Sequence, residues 1–398
     1  MSDETLVLHG ARIIDGTGAE PVRGRAVVVE GGTITAVVDE ARAPRGRGID
    51  LAGHTLLPGL INCHVHLCFG AEADPVRPMR EESLAMTAVK ALLRARLTAE
   101  AGVTTVRDLG GRDYAEMAVR RAIQEGLVAG PRIVAAGRPV CMTGGHGHFL
   151  AREADGPDDA RKAVREQLKQ GADVIKLIAT GGVMTPGVEP GASQLTRDEM
   201  RAAIDEARRA GRRTAAHAQG SEGIADAVEA GITTVEHGIF LTEEIVARMK
   251  AGGAYLVATL NAPAAISAGG LAAGIPDYMV RKSDAVVPAH VKSFQLARES
   301  GVAIAAGSDA GTPLNAHGAY AAELELMVKY GMSPLEAIRA ATSVAAEALG
   351  LGSETGRIAP GLAADLLVVA GNPADRIQAL GDVRMVLARG RVARAFSA

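Results

Sequence analysis

The sequence predicts an α/β protein in which eight β/α units close into a barrel, beside a small β-sandwich domain that both chain ends build together. Three observations carry this prediction: β-rich segments at both ends, eight short apolar runs between them, and helical patterns that separate those runs. The predicted boundaries place the sandwich in residues 1–56 and 358–398 and the barrel in residues 57–357.

Both ends of the chain have the pattern of small β structure. Near the N-terminus, two β-rich runs flank Glu30-Gly31-Gly32, which is the signal of a hairpin. The C-terminal segment returns to the same pattern after a long middle region, so we expect one sheet domain made from both ends. The β-rich runs are residues 5–14, 26–29, 34–38, 364–369 and 383–387.

The middle of the chain alternates short apolar runs with helical patterns. The apolar runs do not alternate with polar residues, as is typical of parallel strands buried on both faces. Helices are predicted over residues 83–101, 158–170 and 196–210, the last two ending before Gly171 and Gly211. Eight such units favour a (β/α)8, or TIM, barrel. The predicted strands are residues 56–63, 103–108, 132–136, 174–178, 213–217, 233–237, 255–259 and 302–306.

Composition excludes several classes of protein. The 398 residues are 47% hydrophobic and 22% charged with a net charge of -3, and no basic run indicates a nucleic-acid partner. No stretch reaches the ~18–20 apolar residues of a membrane span, and the N-terminus lacks the pattern of a signal peptide. We therefore expect a cytoplasmic protein that acts on a small molecule.

Polar side chains follow the predicted strands at the end where such barrels carry their functional groups. His64 and His66 form a His-x-His pair at the end of the first strand, and alternate residues of a strand point the same way. Two imidazoles on one face can bind a single metal ion. The other candidates are Lys176 in strand four, His217 at the end of strand five, His237 at the end of strand six and Asp309 after strand eight.

Lys176 is the most diagnostic of these residues. A protonated lysine in an apolar strand costs several kcal/mol of desolvation unless its charge is lost or paired. The neutral amine can react with carbon dioxide to give a carbamate. That anionic group offers two oxygens, which suit a bridge between two cations ~3.5–4 Å apart.

These residues, in this order, resemble the amidohydrolase superfamily in its branch with two metal ions and a carboxylated lysine. The resemblance includes Leu57-Pro-Gly-Leu-Ile-Asn before His64 and the segment 356–365, so it covers nearly the whole chain. Zinc is the default metal for ligands of this kind. The resemblance implies a homo-oligomer and the following ligand set: His64, His66 and Asp309 on a buried ion, His217 and His237 on an outer ion, and carboxylated Lys176 as a bridge between them with a hydroxide.

Within the superfamily the chain is similar to metal-dependent dipeptidases and carboxypeptidases, including bacterial prolidases, and to relatives of imidazolonepropionase. The motifs behind this are Thr143-Gly-Gly-His146 and the segment 179–184. The resemblance implies that His146 reaches the scissile carbonyl, where an imidazole donor can stabilise an oxyanion. Similar prolidases often carry a tyrosine after strand seven. This chain has Asn261 there, and we expect Asn261 to donate a hydrogen bond to the substrate.

The predicted function is hydrolysis of a peptide or N-acyl amide bond in a small amino-acid derivative such as a dipeptide. The metal-bridging hydroxide attacks, and Asp309 takes its proton and passes it to the leaving nitrogen. Three alternatives stay open: a hydrolase of a cyclic amide, carbamate or lactone; a one-metal deaminase, which has no use for Lys176; and a non-catalytic protein that keeps the barrel.

Overall fold

The structure, a computed structural model, describes residues 5–396. The strands are β1 Leu6–His9, β2 Arg12–Ile13, β3 Arg25–Glu30, β4 Thr33–Asp39, β5 Arg47–Asp50, β6 His54–Pro58, β7 Leu60–Val65, β8 Val103–Asp108, β9 Arg132–Ala135, β10 Val140–Cys141, β11 Arg152–Glu153, β12 Val174–Ile178, β13 Arg213–Ala218, β14 Thr234–His237, β15 Tyr255–Val257, β16 Leu366–Ala370, β17 Val383–Ala388 and β18 Arg391–Arg394. The α-helices are α1 Val76–Glu81, α2 Leu84–Glu100, α3 Ala115–Gln124, α4 Pro157–Gln170, α5 Arg197–Arg209, α6 Ser221–Ala230, α7 Glu243–Gly252, α8 Asn261–Gly269, α9 Asp277–Glu299, α10 Ala321–Lys329, α11 Pro334–Ala340 and α12 Ser343–Leu349.

Two parallel sheets form the middle of the molecule. One has the order β7-β8-β9, and the other has the order β11-β10-β12-β13-β14-β15. Every residue of β7, β8, β12 and β14 is buried, which explains why these runs are apolar without alternation. Helices lie between most of the successive strands along the chain, as the sequence predicts, although β9, β10 and β11 follow one another without a helix.

The helices begin and end near the predicted residues because local signals mark their ends. Thr196 and Glu199 form a capping box at the start of α5. Gly171 follows α4 with φ of 91°, a conformation that glycine adopts without strain. Across residues 5–396, no helix combines the length and the apolar character needed to cross a membrane.

Two of the predicted strands differ from the structure. The first is divided at Gly59 into β6, which joins a mainly antiparallel sheet, and β7, which joins a parallel one. A side chain at Gly59 has no room, because a Cβ atom there would lie 2.2 Å from the Thr104 hydroxyl. Residues 302–306 form a single bridge, Ile304 with Leu256, instead of a strand. The backbone of this segment forms hydrogen bonds with Leu256 on one side and with Cys63 on the other.

The chain ends form two further sheets, with the orders β4-β3-β1-β5 and β18-β17-β16-β6-β2. The predicted hairpin is present as the antiparallel pair β3 and β4. The second sheet combines strands from both ends of the chain. Side chains of both sheets share one apolar cluster, which includes Leu8, Val27, Leu56, Leu366 and Leu387. Both ends therefore contribute to a common small core.

Candidate active site

The strand register brings the predicted ligands of the six-stranded sheet to one edge. Ile178, the last residue of β12, pairs with His217, and Ala218 of β13 pairs with His237 at the end of β14. Lys176 lies two residues before the end of β12. Because parallel strands end at the same edge, these three side chains start from neighbouring positions.

His64, His66 and Asp309 form one group of potential ligands. Each offers one nitrogen or oxygen, and these atoms lie within 4.8 Å of one another. Asp309 Oδ1 is 3.4 Å from His64 Nε2 and 3.3 Å from His66 Nε2. The backbone holds Asp309 there, since its N–H donates to the His64 carbonyl at 2.8 Å and its φ is 59°. A non-glycine residue with positive φ is uncommon and marks a constrained position.

The Nδ1 atom of each histidine in this group already forms a hydrogen bond within the protein. His64 Nδ1 donates to Glu236 at 2.9 Å, and His66 Nδ1 donates to the Gly110 carbonyl at 3.0 Å. Neutral imidazole carries one donor and one acceptor nitrogen, so in the neutral form of either ring Nε2 presents a lone pair beside the Asp309 carboxylate. Three acceptors that face one another are stabilised by a cation between them.

Burial and charge set the protonation of this group. Burial alone would raise the pKa of Asp309, but His64 and His66 outweigh it and lower the pKa to about 2. Burial lowers the pKa of His64 well below its ordinary value. Burial would also lower the pKa of His66, yet the adjacent Asp309 carboxylate outweighs burial and raises it, because it stabilises the protonated ring. The carboxylate is therefore ionised at neutral pH, and His64 is neutral.

Glu236 and Arg107 form a buried ion pair behind His64. Glu236 Oε1 accepts from Arg107 at 2.8 Å, while its Oε2 accepts from His64. Arg107 also donates to the Cys63 carbonyl at 2.6 Å. Because an ionised carboxylate only accepts, this contact fixes which nitrogen of His64 carries the proton.

His217 and His237 form a second group. Their ring centroids are 4.5 Å apart. His217 Nε2 donates to the Gly181 carbonyl at 3.0 Å, so Nδ1 carries its lone pair. His237 Nδ1 is 2.7 Å from the Thr259 hydroxyl, which itself donates to the Ala258 carbonyl, so Nε2 of His237 carries the lone pair. Burial lowers the pKa of both rings well below the ordinary value, and both are neutral.

Lys176 interacts electrostatically with residues of both groups. It is 3% exposed, and no residue in the described part of the chain forms a hydrogen bond with its Nζ. Burial lowers its pKa to about 8, although the nearby carboxylates Glu236 and Asp309 favour the charged form. A buried amine without a partner is costly, so this position favours an amine that is neutral or chemically modified.

His146 lies against the second group, with its ring centroid 4.4 Å from that of His217. Its Nδ1 is buried and has no partner. Its backbone N–H donates to Gln194 at 2.9 Å. Gly182 makes room for the ring, because a Cβ atom there would lie 2.5 Å from Nε2. Burial lowers the pKa of His146 to about 3, so the ring is neutral and keeps one N–H to donate.

One cavity brings all these residues together. The walls around the polar end are apolar and include Phe69, Phe149, Val183, Met184 and Ile266. An apolar cavity with a few convergent polar groups is typical of a small-molecule site. The predicted site residues that line the cavity are His64, His66, His146, Lys176, His217, His237 and Asp309.

Asn261 is not among the residues that line this cavity. Its side-chain amide donates to Asn315 at 2.8 Å, and its backbone N–H donates to Glu323 at 2.7 Å. The residue begins α8, and these bonds direct it to Asn315 and away from the lining. The neighbouring residues Ala262 and Pro263 line the cavity in its place.

Sequence reasoning missed Glu236, Arg107 and Gln219. Gln219 lines the cavity, and its Oε1 is buried without a partner. The alternation of strand residues could have found it, because it follows His217 by two positions. A charged residue within an apolar strand run was the sequence signal for Glu236 and Arg107. Glu236 directly precedes His237 in β14, and Arg107 is 1% exposed in β8.

The donor set fits divalent metal ions. Neutral imidazoles and an ionised carboxylate are ligands that zinc and similar ions take in proteins. The buried atoms without partners include Lys176 Nζ, His146 Nδ1 and Asp309 Oδ1. Such a cluster of unsatisfied atoms in one cavity is the pattern left by a group that completes the site.

Residues 55–393 match the Amidohydrolase family. The match covers most of the chain, which therefore belongs to the amidohydrolase family. This confirms the resemblance that the sequence motifs indicated.

Similar proteins cover nearly the whole chain. An ochratoxinase of Aspergillus niger is 31% identical over 417 residues, which cover 96% of this chain and 85% of that protein. The structure of a Xaa-Pro dipeptidase with bound methionine matches with a TM-score of 0.91 and 32% identity, covering 98% of this chain and 99% of the other. A prolidase complexed with N-methylphosphonate-L-proline matches with a TM-score of 0.91 and 33% identity, covering 99% and 100%.

Proposed function

We propose that this amidohydrolase cleaves a peptide or N-acyl amide bond in a small amino-acid derivative, with two divalent metal ions. One observation carries the proposal: a lysine amine with no acceptor among residues 5–396 lies in one cavity with an ionised aspartate and with four histidines that each use one ring nitrogen in a hydrogen bond elsewhere. Two cations and a bridging anion would satisfy the amine, the remaining ring nitrogens and the carboxylate together.

The two groups of ligands divide between two ions. His64, His66 and Asp309 would hold one, and His217 and His237 would hold the other. Lys176 would connect them after its Nζ attacks the carbon of carbon dioxide, forms an N–C bond and releases one proton. The lowered pKa of Lys176 favours this reaction because only the neutral amine attacks. We take zinc as the native metal, since the set is of imidazole and carboxylate ligands.

The residues of the chain supply orientation and proton transfer. When bound, the ions would polarise the scissile carbonyl and lower the pKa of the attacking water. Asp309, ionised at neutral pH, accepts the proton of that water and passes it to the leaving nitrogen. His146 donates an N–H to the carbonyl oxygen as negative charge develops there.

The substrate class rests on the cavity and on the relatives. The walls of the cavity are apolar, so they favour a substrate with an apolar group beside the scissile bond. The similar proteins named above are a Xaa-Pro dipeptidase, a prolidase and an ochratoxinase. For this chain we propose the reaction of the dipeptidase and the prolidase, which is hydrolysis of a dipeptide.

The architecture we propose is a closed (β/α)8 barrel in residues 57–357, with a β-sandwich in residues 1–56 and 358–398, of which residues 1–4 and 397–398 lie outside the described residues. Support comes from hydrogen bonds that join the two parallel sheets on both sides. The Asp173 N–H donates to the Ala135 carbonyl at 2.8 Å, and residues 303–306 bond to Leu256 and Cys63. The common apolar cluster of the terminal sheets supports the sandwich.

Metal analysis combined with a substrate panel tests the function. We expect about two equivalents of metal per chain and hydrolysis of dipeptides or N-acyl amino acids with release of the C-terminal amino acid. One equivalent of metal with release of ammonia would instead indicate a deaminase. Turnover confined to cyclic amides, carbamates or lactones would move the assignment to those substrates. A metal-loaded protein that is inert on the whole panel would contradict catalysis.

A further inference from the structure

Three polar side chains line the cavity besides those assigned above to the metal ions and the carbonyl oxygen. They are Gln219, His290 and Thr312. Thr312 already has partners, because its hydroxyl donates to the Asp309 carbonyl at 2.8 Å and accepts from the Asn315 amide at 3.2 Å. Gln219 and His290 therefore hold the hydrogen-bonding capacity of the cavity that the proposed mechanism leaves unused.

Gln219 offers a buried acceptor. The residue is 5% exposed, and its Oε1 has no hydrogen-bond partner among residues 5–396. Its backbone is held in place, since its N–H donates to the Thr180 hydroxyl at 2.9 Å. A buried acceptor without a donor costs free energy, so a group that enters the cavity and donates to Oε1 gains what the protein alone does not supply.

His290, in α9, offers a second acceptor. Its Nε2 lies 2.7 Å from the Ala258 carbonyl and 3.1 Å from the His237 carbonyl. Carbonyl oxygens only accept, so Nε2 carries the proton. Burial lowers the pKa of His290 to about 4, which keeps the ring neutral and leaves the lone pair on Nδ1. Within residues 5–396 the ring forms only the two hydrogen bonds of Nε2.

Both acceptors belong to the same part of the cavity wall, at the end of β14 and the turn after it. The Gln219 carbonyl accepts from the Phe240 N–H at 2.9 Å, and His290 Nε2 donates to the His237 carbonyl. Ile239, between Phe240 and His237 in the chain, lines the cavity. One group of the substrate that reaches this part of the wall therefore meets both residues.

This part of the wall faces the acyl side of the scissile bond. Gln219 follows His217 by two positions, and His290 bonds to the backbone of His237, so both lie beside the second group of ligands. Asp309, which we propose passes a proton to the leaving nitrogen, belongs to the first group. The leaving amino acid therefore lies towards Asp309, and the acyl substituent lies towards Gln219 and His290.

We propose that Gln219 and His290 select a substrate with an amino group on the acyl side of the scissile bond. The preferred substrate is then a dipeptide with a free N-terminus, and N-acyl amino acids that lack this group are poor substrates. An amino group carries at least two N–H bonds, one for Gln219 Oε1 and one for His290 Nδ1. This inference rests on the proposed function and narrows its substrate class.

The charges of the cavity agree with a donor at this position. Among the described residues that line the cavity there is no arginine, and the one lysine is Lys176, which the metal bridge uses. A carboxylate on the acyl side would find two acceptors and no cation of the protein, which is unfavourable. An amino group instead finds two acceptors.

Two substrates that differ only in the amino group test this selection: leucylalanine and 4-methylpentanoyl-alanine. For the metal-loaded wild type we expect kcat/KM to be about 10–100-fold higher for leucylalanine, because the analogue leaves both acceptors unpaired. Gln219→Leu keeps a side chain of similar size without the acceptor and should reduce this ratio about tenfold. A wild type without the preference, or equal losses of Gln219→Leu on both substrates, overturns the proposal.

Two further variants separate the lone pairs from general damage to the fold. Gln295→Leu makes the same substitution at an exposed position of α9 and should keep the wild-type ratio. His290→Gln retains a donor for the Ala258 carbonyl but has no acceptor in place of Nδ1, so it should also reduce the ratio. Thermal unfolding checks that each variant is folded. An unchanged ratio in folded His290→Gln removes His290 from the selection.

Equilibrium binding separates failure of this inference from failure of the proposed function. The probes are L-leucine and 4-methylpentanoate, which differ in the amino group alone, and calorimetry of the metal-loaded protein needs no turnover. We expect L-leucine to bind at least about tenfold more tightly to the wild type, and Gln219→Leu to lose this preference. Equal affinities, or no binding of L-leucine, contradict the selection. If the preference is present but neither substrate is hydrolysed, the proposed reaction is wrong and the amino-group site remains.

Discussion

Two buried lysines near the cavity, Lys176 in β12 and Lys282 in α9, have very different surroundings. They are 3% and 6% exposed, and burial lowers the pKa of both. Lys282 donates to the carbonyls of Gly182, Thr185 and Val188. Lys176 has no hydrogen-bond partner within residues 5–396.

The difference is what we expect between a lysine that only stabilises the fold and the lysine that we propose reacts with carbon dioxide. Three carbonyl oxygens satisfy the ammonium of Lys282, so its charge is retained and it attaches α9 to the segment after β12. That segment carries Val183 and Met184 in the cavity wall. The amine of Lys176 instead faces the carboxylates of Glu236 and Asp309 without bonding to either, and it is open to reaction. Burial alone does not distinguish the two; hydrogen-bond satisfaction does.

The largest effect is expected from removing the reactive amine. Lys176→Met keeps a long apolar side chain and removes the proposed bridge, so we expect kcat/KM to fall about 10,000-fold, together with loss of bound metal. Lys282→Met is the matched control. It should retain both metal ions and lose less than about tenfold in kcat/KM, while lowering the free energy of unfolding by about 1–3 kcal/mol through its unpaired carbonyls. Equal losses of activity in the two variants would contradict the distinction.

A smaller effect is expected when one of the carboxylates facing Lys176 loses its charge. Asp309→Asn keeps the shape of the side chain but cannot take up a proton, so we expect kcat to fall about 1,000-fold. Metal content, measured by elemental analysis, should stay close to that of the wild type. Undiminished turnover would show that Asp309 is not on the route of the proton.

Glu236→Gln tests the other carboxylate. The amide keeps the size of the side chain but no longer requires His64 to donate from Nδ1, so the lone pair at Nε2 is less well held. We expect metal affinity, measured by competition with a chelator, to fall about 10–100-fold. Thermal unfolding of the metal-free protein reports separately on the loss of the Arg107 ion pair. Unchanged affinity together with lowered stability would restrict Glu236 to a structural role.

The smallest effect concerns pH. At pH 7 a lysine with a pKa of about 8 is neutral in about a tenth of the molecules, far more than one with the ordinary value of 10.5. Reconstitution of the metal-free protein, at constant dissolved carbon dioxide and excess metal, should therefore quicken about tenfold between pH 6 and 7 and level off above pH 8. Lys282 keeps its proton in its hydrogen bonds and should not contribute. A rate that does not change between pH 6 and 8 would exclude the neutral amine as the reacting form.

Much of the fold and of the candidate site could be predicted from residue types and their spacing. Apolar runs without alternation predicted buried parallel strands, and capping residues placed the ends of α4 and α5. Histidine, lysine and aspartate near the ends of these runs predicted a metal site, because parallel strands end at a common edge. The prediction for residues 302–306 was less accurate, since strand assignment depends on which neighbours share the backbone hydrogen bonds.

The features that the sequence did not predict depend on contacts between residues that are far apart in the chain. Glu236 and His64 are 172 positions apart, and only folding makes one orient the other. Asn261 is directed to Asn315, 54 positions away. Residue type and local periodicity limit which chemistry is available, because they act within a strand or a helical turn. The partner of each side chain depends on packing, because packing places three carbonyls around Lys282 and no acceptor among residues 5–396 at Lys176.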